Sequence, residues 1–154
     1  MTDTVTYAND IYDLFMTQVT DYRLTALFNQ SRVDFETFLE AWLRSSIVDF
    51  SICDQPLNYS QVTKAFDSLL TDANQIVLAS LMVKYWLKKE VADVTQFRLH
   101  VADRDFKLNN EATNLKEKVT YYNLVREDCS QMLNDYGYKR VDWDSWFNQN
   151  FRGT

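Results

Sequence analysis

The sequence predicts an all-α fold, a compact helical bundle around a buried central helix at about 72–90, with a long helix at about 111–136 and an aromatic C-terminal arm. Three observations predict it. Two glycines and one proline in 154 residues are too few for the positive-φ corners of a sheet protein, so helices joined by short polar links are expected. Apolar residues recur by threes and fours along most of the chain, the period of a helix face. The third observation is the run Ile76–Val83, apolar except for Ser80 and extended by Tyr85, Trp86 and Leu87. A helix apolar around most of its circumference must be enclosed by other elements. Asp72 and Asn74 precede the run and Lys84 interrupts its extension, which makes it too short for a membrane span.

Taken in order, Tyr7, Ile11, Leu14 and Phe15 share one face of a first amphipathic helix over 7–17, with Asp10 and Asp13 outside. Thr20 or Asp21 offers a cap for a short second helical segment through Tyr22, Leu24, Leu27 and Phe28. Ser31, with Asp34 three residues on, approximates a capping box for a helix over about 32–51. Its face is Phe35, Phe38, Leu39, Trp42, Leu43, Ile47 and Phe50, while Asp34, Glu36, Glu40 and Arg44 face away and Glu40 stands one turn before Arg44. Pro56 stops the chain in a loop. Ser60 is expected to cap a short helix through Val62, Phe66, Leu69 and Leu70. Thr71 then caps the central helix, with Asp72 at its positive end and Lys88 and Lys89 at its negative end.

Residues 92–109 fit either a short helix capped by Asp93 or a bent extended segment, and Phe106 and Leu108 alternate as a small strand would. Asn110 is expected to cap the long helix, along which Leu115, Val119, Tyr122, Cys129, Leu133 and Tyr136 repeat like a coiled-coil seam interrupted at Arg126. That seam pairs either within the domain or with a neighbouring subunit. Gly137 is placed as a left-handed C-terminal cap. The chain thus divides into one helical domain over 1–138 and an arm over 139–154. In the arm, Trp143, Trp146, Phe147 and Phe151 form a face that either folds back on the core or docks into a partner, where Trp carries much binding energy.

Charge and composition narrow the function. The net charge of −6 is uneven: residues 1–83 carry 4 basic and 11 acidic side chains, and residues 84–118 carry 8 and 6. An acidic body opposes general DNA binding, though DNA could slide past it. Cys53 and Cys129 stand 76 positions apart with no CxxC, so reduced thiols in a cytosolic setting are expected. The start, MTDTVTYAND, has neither the regions of a signal peptide nor the arginines of a transit peptide, and no export is expected.

Catalytic signatures are missing from the sequence. His100 forms HxxDxD with Asp103 and Asp105, but one imidazole on one segment is a poor metal set, and no metal or cofactor is expected. Gly137 and Gly153 cannot build a phosphate loop, GxSxG and HExxH do not occur, and neither cysteine has a histidine nearby. The carboxylate pairs Glu36 with Glu40 and Asp10 with Asp13 read as solvated surface. Lys84, Lys88 and Lys89 read as dipole complement and solvation. No catalytic residue is assigned, and an enzyme is the least favoured reading.

The strings LLTDANQIVLASLMVKYWLKKEV and RDFKLNNEATNLKEK resemble a pattern in small virion proteins of tailed bacteriophages, the head-tail connector, neck or head-completion proteins. Carrying the resemblance are Leu70, Thr71 and Asp72, then Ile76, Leu78, Ala79, Leu81, Met82, Trp86 and Leu87, then Asp105, Phe106, Lys107, Ala112 and Leu115. It extends loosely through IYDLFMTQVTDYRL and FLEAWLRSSIVDFS to cover most of 10–138. Asn109 or Asn110 stands where the pattern has Ser, and the segment after Gly137 has no counterpart. The resemblance implies a helical adaptor that assembles as a ring on the portal protein at the capsid vertex. Tail or stopper proteins would build on that ring, and DNA would pass through its lumen. Its place would be the virion, after assembly in the host cytoplasm, with no membrane involved. The alternative is a helical DNA-binding or DNA-packaging accessory protein acting through Lys84–Lys118.

Overall fold

The computed structural model describes residues 4–101, 108–142 and 145, the side chains at 97–101 and 108–113 excepted. Among the described residues the fold is all-α apart from one two-stranded hairpin, with five helices: α1 Ala8–Gln18, α2 Tyr22–Gln30, α3 Arg32–Asp49, α4 Asp72–Val101 and α5 Leu108–Tyr138. Helices α1, α3 and α5 all pack on α4, and α2 packs on α3.

The centre of α4 is enclosed as its composition requires. Of Val77–Val83, only Ser80 is not buried. Around this run lie Ile11 and Phe15 of α1, Leu39 and Leu43 of α3, and Phe50, all fully buried. Thr71 caps the helix, its Oγ1 accepting from Asn74 N at 3.4 Å. Ser31 Oγ accepts from Asp34 N at 3.3 Å and Asp21 Oδ1 from Arg23 N at 2.8 Å, so α3 and α2 begin at sequence-readable caps. Helix α1 begins differently. Tyr7 is half exposed rather than on the buried face, and its N–H donates to Asp10 Oδ2 at 3.0 Å.

Other expectations are corrected. Residues 60–70 form no helix: β1 Tyr59–Ser60 pairs antiparallel with β2 Ala65–Phe66. Lys64 closes the turn in the left-handed region at φ 53°, and residues 6–8 lie alongside as a third partner, with Phe66 N donating to Thr6 O at 2.8 Å and Ala8 N to Lys64 O at 2.8 Å. Glu40 does not face away on α3. It turns to this hairpin, accepting from Tyr59 Oη at 3.1 Å and pairing with Lys64. Helix α4 does not stop near 90 but continues to Val101; Asp93 lies inside it and pairs with Lys89 at 2.8 Å instead of capping anything. Gly137 is not left-handed, since no described glycine has positive φ, and α5 runs on through it to Tyr138.

Helices α4 and α5 are antiparallel. Asn74 meets Tyr136, Ser80 meets Cys129, and Glu90 meets Lys118, a steady register in which one index falls as the other rises. Of the α5 seam, Tyr122, Cys129, Leu133 and Tyr136 pack on the core, and Val125 rather than Arg126 fills the intervening position. Helix α5 starts at Leu108, so Asn110 lies within it rather than capping it. The expected strand at Phe106 lies outside the described residues, while Leu108 is helical.

Candidate functional site

A cleft of about 400 Å³ opens between α2, α3 and α4. Leu24, Leu27, Phe38, Trp42 and Trp86 line it, and Arg23, Lys89 and Asp93 stand on its rim. It continues over the outer face of α3, past Thr37 and Ala41, into a second depression of about 470 Å³ that shares Phe38, Trp42 and Lys89. The aromatic floor is built by helical spacing: Phe38 and Trp42 are one turn apart on α3, with ring centroids 4.7 Å apart in an edge contact. Trp42 continues inward to Phe15 at 5.8 Å, which anchors the floor in the core. Lys89 Nζ sits 5.8 Å from the Phe38 ring centroid, a cation held over the apolar wall.

Polar bonds hold the walls apart. Asp21 caps α2 and its Oδ2 also accepts from Trp86 Nε1 at 3.2 Å, which pins the start of α2 to α4. Burial draws the Asp21 carboxyl upward, but the Arg23 amide and Trp86 indole bonds outweigh it and its pKa lies below the usual value. Glu90, buried on α4, accepts from Arg23 of α2 and from Lys118 of α5, so one carboxylate ties three helices. The bond to Glu90 holds the Arg23 guanidinium above its ordinary pKa.

At the other end of α4 a second polar cluster closes the bundle. Tyr136 Oη meets Asn74 Oδ1 at 2.8 Å and accepts from Asp54 N at 3.1 Å, while Asn74 Nδ2 donates to Asp54 Oδ1 at 2.9 Å and to Gln55 Oε1 at 2.7 Å. Cys53 lies beside it, its Sγ 3.9 Å from Tyr136 Oη. Burial pushes the Cys53 and Cys129 thiols up, which keeps both protonated and poorly nucleophilic at neutral pH. No group of His, Cys, Asp and Glu among the described residues could hold a metal ion. Nor is any helix among them long and apolar enough to cross a membrane.

No family model, curated protein or solved structure matches the chain. Function must therefore be reasoned from the geometry. An apolar, aromatic-floored cleft, with Arg23, Lys89 and Asp93 at its edge and the Asp21 and Glu90 carboxylates bonded into its walls, is suited to receiving an apolar side chain or helix face. Of the residues the sequence singles out, His100 belongs to α4, while Asp103, Asp105 and the docking aromatics Trp143, Trp146, Phe147 and Phe151 lie outside the described residues. The cleft itself is not read from the sequence. Its signal is the helical pair Phe38 and Trp42 beside Trp86, aromatic residues that periodicity assigns to the core.

Proposed function

We propose that the chain is a structural virion subunit, a ring-forming head-tail connector that docks on a phage portal and joins capsid to tail. The observation that supports it most is the α4–α5 hairpin. Helices α1–α3 enclose α4 as far as Glu90, which meets Lys118 of α5, and beyond that pair no described residue at 91–96 or 114–117 is buried. A two-helix hairpin standing off a packed body offers surface to neighbouring subunits, the property a ring requires. Of the residues that carry the phage resemblance, Thr71 caps α4, and Leu78, Ala79, Leu81, Met82 and Leu87 form its buried stripe. The acidic charge of residues 1–83 suits a lumen that DNA passes without sticking.

Head-to-tail contacts between subunits close into a ring only at a fixed rotation, and the portal is a natural template for it. Tail or stopper proteins would then bind the free face. Mass photometry of the chain with and without portal tests the reading: rings on portal support it, and a stable monomer that ignores portal counts against it.

The alternative of a DNA-binding or packaging accessory draws less support. Lys84, Lys89 and Lys118 are each paired with an acid, Asp49, Asp93 and Glu90 respectively, so three of the cations this reading relies on are already engaged. Salt-dependent retention of DNA would nonetheless revive it.

A further inference from the structure

We draw no further inference here: the strongest candidate, the aromatic-floored cleft between α2, α3 and α4, carries none, because nothing in the structure shows what covers it.

Discussion

Glu90 on α4 accepts from Lys118 on α5 at 3.1 Å, and Arg23 of α2 reaches the same carboxylate. The Glu90 side chain is only 11% exposed, while those of Lys118 and Arg23 are 42% and 67% exposed. Mutational costs should be as asymmetric as the burial. R23A/K118A leaves a buried charge unpaired and is expected to lose about 3–5 kcal/mol in urea unfolding. E90M releases two cations that water can already reach and keeps the site filled, so it is expected to lose less than about 1 kcal/mol. Equal losses would mean that the carboxylate is solvated when its partners are gone.

Stability should fall at alkaline pH through the contact between α3 and α4. Tyr85 Oη donates to Asp49 Oδ2 at 2.8 Å, and Lys84 pairs with the same oxygen. Burial, then the bond to Asp49 and its charge, push the Tyr85 phenol up to about 12 from an ordinary 10.0. The folded pKa is above the unfolded one, so this contribution is complete below pH 10 and is lost as pH rises through about 12. For Asp49, burial acts upward but the Lys84 and Tyr85 bonds prevail, and its pKa falls below the ordinary 3.8. Its contribution is present above that value and is lost as pH falls below it. Urea midpoints from pH 8 to 12 should decline in the wild type and decline less steeply in Y85F. Tyr59 and Tyr136, also pushed up to about 12, keep some slope in the variant.

How far the sequence could be read depended on whether a residue's fate was decided locally. The caps at Asp21, Ser31 and Thr71 are local chemistry, and with Ile11 and Phe15 of α1 and Phe35, Leu39, Trp42 and Leu43 of α3 they stand where the pattern places them. The β1–β2 hairpin is not local. Val62, Phe66, Leu69 and Leu70 have helical spacing, yet Val62 is 93% exposed because the backbone of Thr6 and Ala8 captures Phe66 and Lys64 from a distant part of the chain. The far half of α4 was ambiguous for a related reason. Beyond Glu90 the helix is no longer enclosed, so it has no need of the broad apolar stripe that identifies a core helix. The cleft was invisible because it is a gap among three helices, lined by aromatic residues that periodicity cannot distinguish from core.

Gly137 should be replaceable with profit. It sits in right-handed helix near the end of α5, and a Cβ there would meet only Ile52 Cδ1, at an ordinary 3.7 Å. A left-handed cap would be damaged by alanine, whereas a helical glycine wastes chain entropy. G137A is therefore expected to raise stability by about 0.5–1 kcal/mol, visible as a higher urea midpoint with unchanged slope. Destabilisation would restore the capping role that the sequence suggests.

Amide exchange should divide α4 in two. Its buried stretch, Val77–Leu87, is surrounded by α1, α3 and α5, and opening it requires disrupting the whole core. Val91–Gln96 is exposed or half-buried throughout, and it can open without disturbing the bundle. Exchange in that segment is expected to be at least about 100-fold faster than in the buried stretch, read by hydrogen–deuterium exchange on peptides that separate the two. Uniform protection along the helix would show that the far half is held by contacts as strong as the core, and it would remove the free-standing hairpin on which the adaptor reading depends. If the hairpin does serve as a contact surface, protection of 91–96 should rise when the chain assembles, while that of 77–87 stays at its ceiling.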